Sequence, residues 1–251
     1  MQRLIRKLEA FAPLSEEEKA AVLHAGTLVR HYGAHADLIQ QGSPSDGVKI
    51  ILEGLACRYK VLPDGRRQIV AYFVPGDLCD LLTFLLKRTD YSIGSLCPVE
   101  AAVLSQESLF ELTEHYPNLT RALWCTTLVD EAIEREWLIN VGHRTALERM
   151  AHLFCEIFVR LQAAGLTQEN RCELPLTQTE LADTLALSAV HVNRTLMDMR
   201  RTHLVTFHAR QLIIHDQQTL RSVAGFDPAY LHLGDEMPVA LRSRTAVRRC
   251  P

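Results

Sequence analysis

Residues 176–201 read LTQTELADTLALSAVHVNRTLMDMRR, and this stretch decides the fold of the C-terminal part of the chain. Thr177 and Glu180 have the spacing of a capping box, so a helix is predicted to begin there. A short turn at residues 187–188 then leads into a second helix, with Ser188 as its N-cap. Two short helices separated by such a turn are typical of a helix-turn-helix.

Apolar residues give each of these helices one face to bury. They recur at helical spacing, and they are Leu181, Ala182 and Leu185 in the first helix and Val192, Leu196 and Met199 in the second. The following segment, LVTFHARQLIIHD at residues 204–216, is predicted to form two short strands around its central His-Ala-Arg. A hairpin in this position is the wing of a winged helix.

The polar residues of the segment suit contact with DNA. Helix N-termini and neutral donors bind phosphate oxygens, so the expected phosphate contacts are Thr177, Gln178, Thr179, Ser188 and, in the wing, Arg210. The outer face of the second helix is expected to reach base edges through Ala189, Val190, His191, Asn193 and Arg194. Arginine pairs with guanine, asparagine pairs with adenine, and small apolar side chains pack on the thymine methyl group. An ordinary helical hairpin with a solvated polar face is the alternative.

Short β-type runs separated by turn residues fill residues 27–104. They read TLVRHY, DLIQQG, VKIILEG, ACRYKVL, RQIVAYFV and EAAVLS. Pro63-Asp64-Gly65 lies between two of them and predicts a hairpin, because proline fixes φ and glycine supplies a positive φ. Strands at this spacing predict a closed sandwich or barrel. Two short helices come before the strands, and Ser15 is the predicted N-cap of the second.

A long helix is predicted over residues 117–141, where neither glycine nor proline interrupts the chain after Pro117. Its apolar stripe is the candidate dimer contact and consists of Ala122, Cys125, Val129, Ala132 and Ile133. Large apolar residues such as Trp124 and Leu138 lie off that stripe, so one face can hold the barrel and another a second chain. Packing on its own barrel alone is the alternative. Gly142 is expected to end the helix, and a further helix is expected over residues 144–164.

The segment LADTLALSAVHVNRTLMDMRR, residues 181–201, with the wing that follows it, resembles the C-terminal domain of the Crp/Fnr superfamily of bacterial transcription regulators. The resemblance extends over residues 15–224. It implies an α+β fold made of an N-terminal antiparallel β-roll of the cyclic-nucleotide-binding type, a long dimerisation helix and a C-terminal winged helix. The implied partners are double-stranded DNA, a second copy of the chain and RNA polymerase.

The resemblance also implies which residues read bases. Val190, Asn193 and Arg194 match the positions where the family places its base-reading residues. Many members have glutamate in place of Val190, so a different half-site is expected. Ala186 replaces the glycine usual in the turn, at a cost of about 1 kcal/mol if φ is positive there.

The predicted domains are residues 1–116 for the β-roll sensor, 117–141 for the dimerisation helix, 142–224 for the reader and 225–251 for a basic tail. The arginines of that tail, between residues 242 and 249, are expected either to contact phosphates or to remain solvated.

An effector site is expected in the stretch PGDLCDLLTFLLKRTDYSIGSL, residues 75–96, by resemblance to the cassette that binds cyclic nucleotides. The candidate residues are Gly76, Asp77, Asp80, Arg88 and Thr89. The stretch lacks the family's Gly-Glu pair, and Asp90 stands where a small apolar residue is expected. An added carboxylate repels a phosphate, so cyclic AMP binding is not favoured. The identity of the cofactor is left open by the sequence. A sensor that has no small ligand is a further alternative. The first cysteine is Cys57, so no iron–sulfur cluster is expected; haem is disfavoured, and no metal site is expected.

The whole-chain composition is that of a globular protein, with 251 residues, 47% hydrophobic residues and a net charge of −3. This near-neutral charge conceals an asymmetry, because residues 1–140 have a net charge of −5 and residues 141–251 a net charge of +2. No signal peptide and no run of about 18 apolar residues is found, so a cytoplasmic location without membrane contact is expected. No catalytic arrangement is found, so an enzyme is not expected. The competing class is a small-molecule-sensing module whose C-terminal helical domain mediates protein contacts.

Overall fold

The computed structural model describes residues 1–44, 47–79, 81, 85 and 88–233. Two helices open the chain, α1 at Gln2–Glu9 and α2 at Glu16–Ala25. The Ser15 hydroxyl accepts from the Glu18 amide at 3.1 Å, and the Glu18 carboxylate accepts from the Ser15 amide at 2.7 Å. This reciprocal pair is a complete capping box, and it confirms the predicted start of α2.

The strands that follow form two four-stranded antiparallel sheets, with the orders β1-β8-β3-β6 and β2-β7-β4-β5. Their bounds are β1 Leu28–Tyr32, β2 Asp37–Ile39, β3 Val48–Glu53, β4 Ala56–Val61, β5 Arg67–Phe73, β6 Leu78–Cys79, β7 Ser92–Ser95 and β8 Val99–Leu104. The six predicted runs are all strands, and the antiparallel roll is confirmed. Strands β6 and β7 were not predicted, because neither is a run of alternating apolar residues.

The hairpin between β4 and β5 forms at the predicted turn. Gly65 has a φ of +85°, and the Leu62 amide donates to the Arg66 carbonyl at 2.8 Å. Glycine adopts this left-handed conformation without a steric penalty.

Three helices lead from the roll to the C-terminal part: α3 at Gln106–His115, α4 at Pro117–His143 and α5 at Ala146–Ala163. The expectation that Gly142 ends the long helix is wrong by two residues, because α4 continues to His143. Its end is set instead by the extended backbone of Arg144, and Thr145 then caps α5. A single glycine in the last turn costs a helix only about 1 kcal/mol, which this long helix tolerates.

The predicted dimer stripe of α4 faces its own chain. Ala122, Val129 and Ile133 are buried, and Cys125 and Ala132 are half-buried. This corrects the expectation for Ala122, Val129 and Ile133, because their own chain already covers them, whereas Cys125 and Ala132 keep part of their surface exposed. The apolar residues that α4 leaves exposed include Trp124, Leu128 and Leu138, and Ile139 and Val141 are exposed to a smaller extent.

The C-terminal part is a winged helix. Its bounds are β9 Thr167–Gln168, β10 Arg171–Glu173, α6 Gln178–Leu185, α7 Ala189–Arg201, β11 Val205–His208, β12 Gln211–Ile214 and α8 Gln217–Ala224. The sheet has the order β11-β12-β10-β9, so the small hairpin before α6 extends the predicted wing. A 3-10 turn at Pro228–Leu231 follows, and the predicted tail from residue 234 onward lies outside the described residues.

The two parts share one continuous core, which runs from α1 through α4 and α5 to α7. At its centre Trp137 of α4 packs edge-to-face on Tyr72 of β5, with ring centroids 5.6 Å apart. Burial raises the pKa of Cys57, Cys155 and Cys172 to about 12, so these thiols pack as apolar groups. Across the described ranges, no helix is long and apolar enough to cross a bilayer.

Candidate nucleic-acid interface

Both helices of the predicted helix-turn-helix begin at the expected caps. The Thr177 hydroxyl accepts from the Glu180 amide at 3.1 Å, and the Glu180 carboxylate accepts from the Thr177 amide at 2.7 Å. The Ser188 hydroxyl accepts from the His191 amide at 3.2 Å and caps α7. Local sequence therefore fixes where each helix of the motif starts.

The turn between the helices passes through Ala186 in the left-handed conformation, with φ 53° and ψ 46°. The Ala186 amide donates to the Ala182 carbonyl, which closes the end of α6. An alanine side chain is strained in this conformation, whereas glycine is not. The expected cost of about 1 kcal/mol depended on a positive φ at this position, and the structure has one.

The reading face of α7 is open to solvent. Val190 is 80% exposed, and Ala189, Asn193 and Arg194 are exposed as well, whereas His191 is half-buried. The opposite face holds the helix against the core through Val192, Leu196 and Met199, which are all buried. Residues of the N-terminal half of such a helix are those that enter a major groove.

The predicted phosphate contacts surround this face. Thr177, Gln178, Thr179 and Ser188 are exposed, and so is Arg210 at the tip of the wing. The wing turn consists of Ala209 and Arg210, with φ values of 50° and 63°, as in the two-residue turns that match the twist of a hairpin. The Asn193 side-chain amide donates to the Gln178 side-chain oxygen at 3.2 Å, so it links α7 to the start of α6.

The positive charges of this surface are available to an anion. Within the described ranges, no carboxylate lies within ion-pair distance of Arg194 or Arg210. Arg201, at the far end of α7, pairs with Asp198 at 3.1 Å instead. The arrangement can therefore offer one arginine to a base edge and another to a phosphate.

A contact between the roll and α6 was missed at the level of sequence. The Arg67 guanidinium pairs with the Asp183 carboxylate at 2.7 Å, and Gln68 donates to the Thr184 carbonyl at 3.1 Å. The Tyr72 hydroxyl also bonds to the Thr184 hydroxyl in a buried position. These partners lie more than 100 residues apart, and no local pattern connects them. The first helix of the motif is thereby docked on β5 of the sensor.

The predicted effector residues at the turn after β5 have protein partners. Gly76 has a φ of +102°, and a Cβ there would lie 3.0 Å from the Cβ of Arg3 on α1. The Asp77 carboxylate pairs with Lys7 and with Arg160, each at 2.8 Å. Burial alone would raise the pKa of Asp77, but the charges of Lys7 and Arg160 outweigh it and lower the pKa to about 2.

Two other predicted effector residues, Arg88 and Thr89, contact the segment at residues 40–42 instead. Arg88 donates to the Gly42 carbonyl at 2.7 Å, and the buried Thr89 donates to the Gln40 carbonyl at 3.2 Å. Asp80 lies outside the described residues. The structure therefore places Gly76 and Asp77 against α1 and α5 and uses Arg88 and Thr89 to hold residues 40–42.

The ion pair of Asp77 continues into a buried network. The Arg160 guanidinium also pairs with the Glu156 carboxylate at 3.2 Å. That carboxylate accepts from the Trp137 ring N–H at 3.0 Å and from the Tyr230 hydroxyl at 2.8 Å. The network joins the sensor turn to α4, to α5 and to the segment after α8.

Comparison with known proteins finds the same two parts. Residues 29–116 match the cyclic nucleotide-binding domain family, and residues 148–223 match the Crp-like helix-turn-helix domain family. The transcriptional activator protein FnrL of Cereibacter sphaeroides is 27% identical over 216 residues, which is 84% of this chain and 86% of that protein. A probable transcriptional activator of Rhizobium leguminosarum is 29% identical over 199 residues, or 79% and 82% of the two chains.

Among solved structures, FixK2 from Bradyrhizobium japonicum superposes with a TM-score of 0.70 at 23% identity, covering 80% of this chain and 98% of that one. The fold and the reading surface define a DNA-binding transcription regulator with a sensor domain of the cyclic-nucleotide-binding type. The chain belongs to the Crp/Fnr superfamily of transcription regulators.

Proposed function

We propose that the protein acts as a homodimer that reads a near-palindromic DNA site, with one winged helix on each half-site. The observation that carries the proposal is the exposed face of α7, where Val190, Asn193 and Arg194 stand beside the wing and no carboxylate of the described residues lies within ion-pair distance of Arg194. Such dimers bind half-sites about one helical turn of DNA apart. Arg194 reads a guanine, Asn193 and His191 contact neighbouring bases, and Val190 packs on a thymine methyl group.

The exposed stripe of α4 supports the dimer. Trp124, Leu128 and Leu138 are 65%, 59% and 75% exposed, and they lie four and then ten residues apart. Glu131 and Arg135 fall between them at a spacing of three and four and form an ion pair at 3.3 Å, so the apolar part of this candidate seam lies at its two ends. An apolar stripe on a helix of this length is suited to the same stripe of a second copy.

Arg194→Ala tests the role of the reading helix. The loss of affinity should be about 1–3 kcal/mol on the selected site and much smaller on random DNA, because a base contact is lost. Binding is measured by fluorescence anisotropy on a site selected from genomic fragments. Arg201→Ala is the matched control, since Arg201 lies on the same helix but pairs with Asp198. An equal loss on both DNAs would show that Arg194 contacts a phosphate.

The double variant Trp124→Glu with Leu138→Glu tests the dimer. Burying carboxylates in the seam costs free energy, so the dimer should convert to a monomer, as measured by light scattering, and binding to the palindromic site should weaken. Val61→Glu is the control, because Val61 is an exposed apolar residue of β4 outside this stripe. A dimer that survives the double change would contradict this interface.

The proposal includes RNA polymerase as a further partner and control by a small effector in the sensor. It also places the protein in the cytoplasm, where the DNA lies, and gives it a role without catalysis. The alternative is a sensing module whose C-terminal helical domain mediates protein contacts. Failure to select any genomic DNA with purified protein, with and without cyclic nucleotides, would favour that alternative.

A further inference from the structure

A cavity of about 340 Å³ lies between α1, the turn at residues 74–77, α4, the end of α5 and the segment after the 3-10 turn. It shares Gly76 and Asp77 with the effector residues implied by the family resemblance, but neither Arg88 nor Thr89 lines it. It is also apart from the reading face, because no residue of α6 or α7 contributes to its walls.

The walls of this cavity are mainly apolar. They include Phe11, Val74, Val129, Ile133 and Leu231. Val129 and Ile133 belong to the α4 stripe that faces the chain's own core. Apolar walls with a few placed polar groups are typical of small-molecule sites, and the volume falls in their usual range of roughly 300–1,000 Å³.

Basic groups line the rest of the cavity. Of these, Lys7 and Arg160 pair with Asp77, the one carboxylate among the described lining residues, and Arg160 pairs with Glu156 as well. Arg3 is held by neutral groups, since its Nε donates to the Ala164 carbonyl at 3.0 Å. Arg6 is exposed in the last turn of α1. In the described part of the chain, no carboxylate lies within ion-pair distance of Arg3 or Arg6.

We infer that this cavity binds a monocarboxylate with an apolar body of about eight to ten carbons. At about 30 Å³ for each water-sized group, the volume holds about eleven such groups, which matches this size. The carboxylate lies against the guanidinium groups of Arg6 and Arg3, and the chain lies along Phe11 and Ile133. This pairing satisfies the excess positive charge and buries the apolar walls at the same time.

The site goes beyond the proposed DNA reading and bridges the two parts of the molecule. Residues 74–77 belong to the sensor, whereas Ala163 and Ala164 end the first helix of the reader. A ligand that contacts both stabilises this arrangement by its binding free energy.

Titration of the full chain with decanoate tests the inference. Calorimetry should give saturable one-to-one binding, and Tm should rise by about 5 °C or more well above Kd. Decanol, which has the same apolar body without the charge, should bind at least about tenfold more weakly. No binding of decanoate, or equal binding of decanol, would overturn the inference.

Variants locate the site. Arg6→Ala should weaken decanoate binding about tenfold, because one charge-assisted hydrogen bond is lost, and Arg6→Lys should restore most of the affinity. Arg66→Ala is the control, since Arg66 is an exposed arginine of the β4–β5 turn that does not line the cavity. Unchanged affinity in Arg6→Ala would overturn the inference. So would a loss of binding in Leu138→Glu, because decanoate would then lie on the exposed stripe of α4.

Discussion

Two regions of the molecule carry the polar residues expected to bind something, and they are built in opposite ways. The reading face of α7 keeps Asn193 and Arg194 at the surface. The turn after β5 buries Asp77 between Lys7 and Arg160. Both regions were expected to bind ligands, yet only the first leaves its charged group without an ion-pair partner among the described residues.

The difference lies in where the partners come from. The surroundings of Arg194 are set within residues 177–201, by caps and by one apolar face of a helix. The partners of Asp77 lie 70 and 83 residues away, on α1 and α5. A motif that is complete within a short segment can be interpreted from its sequence. A single aspartate after a turn cannot, because the neighbouring sequence is the same whether its carboxylate binds a ligand or an arginine.

Asp77→Ala should show the largest difference in stability between the two regions. Removing Asp77 leaves Lys7 without its ion-pair partner and takes from the buried Arg160 one of its two carboxylates, so the free energy of unfolding should fall by about 3–5 kcal/mol. Chemical denaturation measures it. Arg194→Ala should change the same quantity by less than about 0.5 kcal/mol, since its side chain is exposed. Equal losses in the two variants would remove the distinction between the regions.

The second-largest effect should come from acid, which should lower the free energy of unfolding through the buried His152 of α5. Burial, followed by the nearby charge of Arg144, lowers the pKa of His152 to about 3. Below about pH 6.5 the unfolded chain therefore takes up a proton that the folded chain does not, and stability falls. The loss should be about 1.5 kcal/mol between pH 6.5 and pH 5.

The Asp77 carboxylate adds a second loss at lower pH. The pKa of Asp77 is about 2 in the folded chain, which is below its value in the unfolded chain. Its contribution to the free energy of unfolding is therefore present above about pH 4 and disappears as the pH falls toward 2. Denaturation at several pH values separates the two effects. The His152→Gln variant should flatten the slope between pH 6.5 and pH 5, and the exposed His208→Gln should not. An unchanged slope in His152→Gln would exclude this histidine as the cause.

Ala186→Gly should act in the opposite direction and stabilise the reader. Glycine removes the strain of the left-handed turn, and part of this gain is offset by the greater freedom of glycine in the unfolded chain. The free energy of unfolding should rise by about 0.5–1 kcal/mol. The matched change Ala132→Gly, inside α4, should lower it by about 1 kcal/mol. A loss in both variants would show that the turn is not strained.

Arg210→Ala should have the smallest effect and should concern DNA alone. Loss of one phosphate contact at the wing should reduce affinity several-fold on every DNA sequence and lower the salt slope by about 1. Stability should stay unchanged, because the side chain is exposed. A loss confined to the selected site would instead make Arg210 a base-reading residue.

Sequence predicted the reader almost completely. The capping residues Thr177 and Ser188, the buried Val192 and the turn at Ala186 all follow from interactions within a few residues. The sequence predicted the long helix α4, but it did not predict which face of that helix is buried against its own chain. Ala122 and Val129 form a stripe as good as that of Trp124 and Leu128, and only the packing of the roll decides which one is buried.

The amino-acid sequence by itself therefore determined the order of the parts, the helix-turn-helix with its wing, and the family. Each of these rests on short-range signals such as caps, turns and apolar periodicity. The tertiary structure alone decided that Asp77 is an internal anion and that α6 docks on β5 through Asp183. It also decided that a cavity opens between the two parts where Arg3 and Arg6 have no carboxylate partner among the described residues. These features join residues far apart in the chain, and their partners are fixed only when the whole core is packed.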